Sequence, residues 1–317
     1  MDPLSTLLGG IRAEGSVVAH AVLTAPWTIG FADRAPLIMV TVLRGGGVLR
    51  LPDGSARRLT AGDTAVVQGA EPFVLAHETT TTAAGPPTEY ELSCFVPDGL
   101  SAAGTGCAAV EPEPAAAEAS AAEETSLVVG AYCASGRRHE RLLRALPLAL
   151  VVGGEAEVCD WLETAAADAH RHRAGAQALM DRLLDWALVC TLRTWLAEQG
   201  DCAPAWYRGL ADPVVGPALT AIHTEPYRRW TVASLAAESA VSRALLARRF
   251  TEVMGEPPLT YLTEWRLSEA EELLADPGRS VAQIATTVGY ADAFGFSAAF
   301  KRSRGVSPTV FRQRTPV

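Results

Sequence analysis

Leu235-Ala-Ala-Glu-Ser-Ala-Val-Ser-Arg-Ala-Leu-Leu-Ala-Arg-Arg-Phe250 and Ile284-Ala-Thr-Thr-Val-Gly-Tyr-Ala-Asp-Ala-Phe-Gly-Phe-Ser-Ala-Ala-Phe300 are one pattern written twice, with one extra residue in the turn of the second copy. In each, an aliphatic-Ala pair opens a buried face. A small residue, Ala240 or Gly289, marks the turn, and Val241 or Tyr290 plugs it. Leu246 with Phe250, and Phe296 with Phe300, then form the i, i+4 stripe of a second helix. Each copy therefore predicts a helix-turn-helix, a unit whose second helix can lie in a DNA major groove.

The punctuation around the two units agrees. Ser280-x-x-Gln283 is a capping box, and Ser242 and Asp292 are N-cap residue types at the two outward helices. Asp276-Pro277-Gly278 breaks the chain after a helix predicted over Pro258 to Ala275, and Ser307-Pro308 starts a final short helix. The segment resembles the DNA-binding domain of the AraC/XylS family of transcription regulators. The resemblance is carried by Trp230-Thr-Val-Ala-Ser-Leu-Ala, Ser242 to Phe250, Gly255-Glu-Pro-Pro and Tyr261-Leu with Trp265-Arg-Leu. Val288-Gly-Tyr, Phe296-Ser-Ala-Ala-Phe-Lys-Arg, Gly305-Val-Ser-Pro and Phe311-Arg complete it. It covers about the last third of the chain. It implies a C-terminal all-α domain over residues 203–317, with units at about 232–253 and 281–302 and a first helix at Pro213–Glu225 that Asp212 can cap.

Composition bounds the rest. At 317 residues the chain has room for two cores, and 49% hydrophobic residues exclude wholesale disorder. No apolar run reaches the ~18–20 residues a membrane helix needs, and Met1-Asp2-Pro3 is no basic leader, so a cytoplasmic protein is expected. The net charge of −9 is unevenly spread: from Val214 onward 12 Arg and Lys stand against 10 Asp and Glu, whereas the preceding residues hold 15 against 26. The acidity belongs to the N-terminal part. DNA affinity then rests on placed arginines, together with Lys301, the only lysine, rather than on a bulk field. The six cysteines (Cys94, Cys107, Cys133, Cys159, Cys190, Cys202) show no Cys-x-x-Cys pair and no metal spacing. Reduced thiols are the expectation; a redox pair is the alternative.

Upstream the texture is β. Apolar runs at Val17–Leu23, Trp27–Phe31, Leu37–Leu43, Val48–Leu51, Ala65–Gln68, Phe73–Ala76 and Tyr90–Val96 alternate with turn signals such as Pro52-Asp-Gly54. Leu59-Thr-Ala-Gly-Asp-Thr-Ala-Val-Val67, after Val48-Leu-Arg-Leu, resembles a cupin jelly roll of the kind found as the effector domain of many AraC-family regulators. Enzymatic cupins hold a metal with His and carboxylate ligands on neighbouring strands. Here Leu37-Ile-Met-Val-Thr-Val-Leu offers none, the other candidate strand offers only His77, and His20 stands alone. No metal, no cofactor and no enzyme are expected. His170-x-His172 reads as solvated surface. Trp27, Met39 and Thr41 are candidates to line an effector pocket.

Residues 98–124 are mostly Ala, Gly, Glu and Pro, with almost no large apolar residue, and read as a flexible loop, after which Leu127–Tyr132 returns as a strand. The expected domains are thus 1–135, cupin-like; 136–202, helical; and 203–317. In the helical part, Arg137–Leu146, Val158–Ala169 and Ala174–Gln199 carry helical patterning. On the last, Leu179, Leu183, Trp186, Val189 or Cys190, Arg193 and Leu196 mark a stripe. The resemblance implies that these helices pair two protomers; packing on the protein's own β domain is the alternative.

In the first unit the outward set is Arg243, Ala244, Ala247, Arg248 and Arg249. Matched to the family motif, Ala244, Ala247 and Arg248 face bases. Arg248 suits guanine O6 and N7. Solvation of a helix face is the plainer reading of these arginines. The second unit presents Ala293, Phe294, Ser297 and Ala298, which offer methyl contacts but few hydrogen bonds, so it is expected to position the domain through Lys301, Arg302 and Arg312 on phosphates. The fold class expected is multidomain α and β. The function expected is a one-component, sequence-specific regulator binding double-stranded promoter DNA as a homodimer, controlled by a small molecule and, if an activator, contacting RNA polymerase. A regulator whose β domain only dimerises, and a metal-dependent cupin enzyme, are the alternatives.

Overall fold

A computed structural model describes residues 3–8, 11–12, 19–31, 35–69, 71–78, 124–134, 139–154, 161–162, 164 and 174–314. The expected strand at Tyr90–Val96, most of the loop 98–124, His170, His172, Cys94, Cys107 and Cys159 lie outside them. The chain divides into two compact units. One comprises residues 11–134 and 146–195; the other comprises 1–10, 135–145 and 196–317.

The first unit is an antiparallel β sandwich. One sheet runs β1 (Ile11–Arg12), β9 (Glu124–Ala134), β4 (Leu37–Arg44), β7 (Asp63–Val67), β10 (Ala149–Gly153), with β2 (Ala19–Thr24) also paired to β9. The other runs β3 (Thr28–Phe31), β8 (Phe73–Ala76), β5 (Gly46–Arg50), β6 (Ala56–Thr60). Three of these strands lie outside the apolar runs read from sequence, β1 being only two residues long. β6 is Ala-Arg-Arg-Leu-Thr, an outer strand that buries only Leu59. β10 follows a helix in sequence, yet it joins β7 at the edge of the larger sheet, so the sandwich is completed beyond residue 135.

Alternation sorts the side chains. Ile38, Val40 and Val42 of β4, Ala65 and Val67 of β7, and Leu127 and Val129 of β9 meet Trp27, Ile29, Phe31, Leu49, Leu59, Phe73 and Leu75 between the sheets. Leu37, Met39 and Thr41, with Thr64 and Val66, turn to the opposite face and are just as buried. The cover there is α3 (Ala176–Glu198): Gly130 admits the Leu184 side chain, and the Tyr132 hydroxyl donates to the Leu184 carbonyl at 2.7 Å. α3 therefore uses Met180, Leu184, Ala187, Leu188 and Leu192 inward.

The second unit is helical. α1 (Pro3–Leu8) and α2 (His139–Ala145) pack together, and α1 also rests on α4 (Ala205–Ala211) and α5 (Val215–Thr224). Then come α6 (Val232–Glu238), α7 (Arg243–Met254), α8 (Pro258–Ala275), α9 (Val281–Thr287), α10 (Ala293–Arg304) and α11 (Pro308–Arg314). Two cores form. The first gathers Leu219, Ile222, Trp230, Leu235, Leu246 and Phe250 with Tyr261 and Leu262 of α8. The second gathers Ile284, Val288, Phe296 and Phe300 with Leu267, Ala270 and Leu274 of the same helix. Each fully buried Leu or Phe contributes on the order of 1.5–3 kcal/mol.

The two turns solve one backbone problem differently. Gly289 adopts φ +80°, and a Cβ there would lie 2.7 Å from the Tyr227 carbonyl oxygen. Ala240 takes φ +53°, the left-handed region that costs a non-glycine about 1–2 kcal/mol. Ala240→Gly should therefore stabilise this unit by about 0.5–1 kcal/mol after the extra unfolded-state entropy of glycine, whereas Gly289→Ala should cost more than about 1 kcal/mol. Denaturant midpoints followed by tryptophan fluorescence would show opposite shifts. Shifts of the same sign would refute the assignment.

Candidate nucleic-acid interface

The surface in question is built from α7 and α10, and local chemistry fixes where each begins and ends. Ser242 Oγ accepts from the Leu245 amide at 3.2 Å, and Asp292 Oδ1 accepts from the Gly295 amide at 2.7 Å. Each helix stops at a left-handed glycine, Gly255 (φ 79°) or Gly305 (φ 75°), and the next begins at Pro258 or Pro308. The preceding helices carry capping boxes, Thr231 with Ser234 and Ser280 with Gln283. Leu246 with Phe250, and Phe296 with Phe300, point into the two cores, which leaves the opposite faces of α7 and α10 outward.

Arg243, Ala244 and Arg248 are exposed and Ala247 is half-buried. Among the described residues Arg248 meets Glu252 alone, at 3.6 Å, both side chains being at least half exposed. Such an i, i+4 pair is worth about 0.3–0.5 kcal/mol and yields readily to a stronger partner. Arg249 differs. Its Nε and Nη2 donate to Asp212 Oδ2 at 2.8 and 2.7 Å, and Nη1 approaches Glu252 at 3.5 Å. Asp212 meanwhile accepts from the Val214 and Val215 amides at 2.9 Å each, at the start of α5. Arg249 thus ties α7 to the start of α5 while its side chain stays partly exposed, so its guanidinium is engaged by Asp212 where that of Arg248 is not.

In the second unit Phe294 and Ala298 are exposed, and Ala293 and Ser297 are half-buried. Lys301 and Arg302 are exposed on the C-terminal half of α10. Arg312 is half-buried: Nε donates to the Leu274 carbonyl at 3.1 Å and Nη2 to that of Arg279 at 2.7 Å. It closes the end of α8 and the turn after it.

The residues that fix the two helix-turn-helix units to each other carry no motif of their own. Arg266, in the middle of α8, donates from Nε to the Pro226 carbonyl (2.7 Å), from Nη2 to that of Arg228 (2.7 Å) and from Nη1 to that of Gly289 (3.4 Å). Arg304 of α10 bonds Glu264 and Glu271 of α8, and the Tyr227 hydroxyl donates to Glu269. The signal available was Trp265-Arg-Leu inside an apolar stretch. A charge between two buried positions needs partners.

The three effector candidates are buried but not together. Trp27 belongs to the interior between the sheets, while Met39 and Thr41 lie on the α3 side of β4. Thr41 Oγ1 is 3.1 Å from Thr64 Oγ1, and Met39 Sδ is 3.5 Å from the Tyr132 hydroxyl. The period of two separates them, so the set does not line one wall. His77 is buried against Trp27, ring centroids 6.2 Å apart. On α3 the stripe named from sequence is the outward face: Leu179 is 48% and Trp186 42% exposed, with Leu183, Val189 and Cys190 half-buried. Leu196, at its end, is buried.

Comparison with known proteins places the chain. Residues 2–197 match the family described as cupin, and residues 235–314 match a helix-turn-helix domain. A Streptomyces lividans protein described as an AraC-like transcription regulator is 32% identical over 99% of this chain and 98% of its own length. One from Streptomyces antibioticus with the same description is 31% identical over 99% of each. The HTH-type transcriptional regulator AlkR of Acinetobacter baylyi is 34% identical over 49% of this chain and 52% of its own.

Asp212 supplies a pH signature. Burial raises its carboxyl, but the Val215 and Val214 amides and Arg249 outweigh burial and hold it below the ordinary value. A depressed folded pKa means stability that is complete above the unfolded value of about 3.9 and is lost as pH falls through the folded value. The stability gap between wild type and Asp212→Asn, read from urea midpoints at pH 6 down to 3, should therefore close below about pH 4. A gap that stays constant would contradict the pairing.

Proposed function

The chain belongs to the AraC-like transcription regulators, and we propose that one protomer reads promoter DNA by setting α7 and α10 into successive major grooves on one face of the duplex. DNA-binding transcription regulation is the family's function. The observation that carries the residue assignment is the repeated, capped helix-turn-helix whose outward faces hold Arg243, Ala244, Ala247 and Arg248 in one copy and Ala293, Phe294, Ser297 and Ala298 in the other. In this reading Arg248 contacts a guanine edge, and Arg243 contacts base or phosphate. Lys301 and Arg302 anchor phosphates. Arg249 and Arg312 act from behind, keeping their helices in place.

The cupin unit is proposed as the sensor of a small molecule, acting through a difference in affinity between two arrangements of the protein. A second reading, in which this unit only pairs protomers, is favoured by the dense packing of Trp27, Ile29, Phe31, Leu49 and Phe73 between the sheets. Dimerisation is common to both. The outward face of α3, with Leu179, Leu183, Trp186 and Val189 at helical spacing, suits an isologous contact with a second copy. An activator of this design contacts RNA polymerase. No catalytic role is proposed: His77 is packed on Trp27, and the facing strand β4 has neither His nor carboxylate. Among the described residues no helix is long and apolar enough to cross a membrane, and a cytoplasmic location is proposed.

Two experiments test this. With a duplex enriched from a random pool by the full-length protein, Arg248→Ala should cost about 1–3 kcal/mol and relax preference at one base pair. Lys301→Ala should weaken all sequences alike and lower the salt slope by about one. Unchanged base preference in Arg248→Ala would remove it as a reader. Separately, Leu179→Glu with Trp186→Glu should turn a dimer into a monomer in sedimentation while leaving the circular dichroism spectrum intact. A mass unaffected by both substitutions would show that α3 is not the dimer contact.

A further inference from the structure

The two units share caps, core positions and terminating glycines, yet their outward chemistry is inverted. With Ser242 set on Asp292, Leu246 on Phe296, Phe250 on Phe300 and Gly255 on Gly305, Arg243 falls on Ala293, Ala244 on Phe294 and Arg248 on Ala298. Where the first unit offers cations around an alanine, the second offers alanines around a phenyl ring. That ring is 86% exposed, while Tyr227 and Leu259, also in the helical unit, are 38% exposed. A phenylalanine so placed forgoes nearly all the burial free energy available to it within its own fold.

We infer that the second unit reads thymine, through apolar contact of Phe294 and Ala298 with the C5 methyl group in the major groove. This rests on the proposed DNA-reading role of α10 and gives that helix a base-specific task beyond positioning. Phe294 sits in the first turn, the end of such a helix that meets base edges. Asp292 holds that turn closed through the Gly295 amide. The groove-facing positions nearby have one hydroxyl, on Ser297, and no charge, so hydrogen-bond readout of guanine or adenine is weakly served. The thymine methyl is the one major-groove feature that an apolar side chain can recognise. Lys301 and Arg302, exposed further along the same helix, supply the cationic flank that a polyanion requires and that an apolar protein partner does not.

The test uses the full-length protein and a duplex enriched by it from a random pool, with each thymine replaced singly by deoxyuridine, which lacks only the methyl. At one or two thymines, about a helical turn from the base pair whose preference depends on Arg248, uridine should weaken wild-type binding about 3–5-fold, the worth of one buried methyl. Phe294→Ala should bind the unmodified duplex more weakly and show no uridine penalty there; Phe294→Leu should keep part of it. A uridine penalty undiminished in Phe294→Ala, or unchanged affinity in that variant, overturns the inference. So does a Phe294→Ala protein that binds DNA normally but fails to support transcription by purified RNA polymerase, since the ring would then serve a protein contact. Failure to enrich any duplex would overturn the DNA-reading role of both units. An Arg248-dependent preference without a Phe294-dependent thymine would overturn only this inference.

Discussion

The arrangement of the helical unit hangs on Arg266. One guanidinium in the middle of α8 donates to three backbone carbonyls, two before α6 and one, that of Gly289, in the turn of the second helix-turn-helix. Burial lowers its pKa, with Tyr290 and Tyr227 countering in part. A cation brought this far out of water is tolerable only because its donors are met. Gly289 is fixed for a steric reason: at φ +80° a Cβ would strike Tyr227 and crowd the Arg266 guanidinium. The N-terminal half of α8 belongs to one core and its C-terminal half to the other. Arg304 with Glu264 and Glu271, and Tyr227 with Glu269, reinforce the joint. At 18 residues α8 spans about 27 Å, and these clamps leave α7 and α10 little freedom relative to it.

The β unit obeys a different constraint. Its larger sheet is apolar on both faces, so it needs a cover on each: the second sheet on one side and α3 on the other. That is why β4 is buried without a break from Leu37 to Val42, Thr41 included, rather than at alternate positions. It is also why α3 carries two apolar stripes beside a charged one. One stripe is spent on the protein's own sheet, and the other, with Leu179 and Trp186, remains for the proposed second protomer.

Much of this was legible in the sequence, and the limits have physical causes. The helix over Pro258–Ala275, the caps at Ser242, Ser280 and Asp292, and the turn residues Ala240 and Gly289 follow from local chemistry and stand where the residues put them. β6 and β10 were missed because pairing is not local. Ala-Arg-Arg-Leu-Thr acquires its strand geometry from β5, and β10 is placed by β7, more than eighty residues away. The effector set failed to converge because strand parity, which decides whether Met39 shares a space with Trp27, depends on the register with β7 and β9. From their positions on helix faces Arg312 reads as a phosphate contact and Arg249 as one of the outward set. Their partners, Asp212 and the Leu274 and Arg279 carbonyls, lie more than thirty residues off in sequence.

The most direct test of the account is the binding of the full-length protein to its enriched duplex after insertion of one base pair between the two half-sites that a protomer contacts. The insertion moves the second half-site by about 3.4 Å and turns it by about 35°. If Arg266 and its neighbours hold α7 and α10 on one frame, affinity should fall at least about tenfold, a cost of about 1.4 kcal/mol. An affinity that survives the insertion unchanged would mean that the two units bind independently, and the clamped reader described above would be wrong.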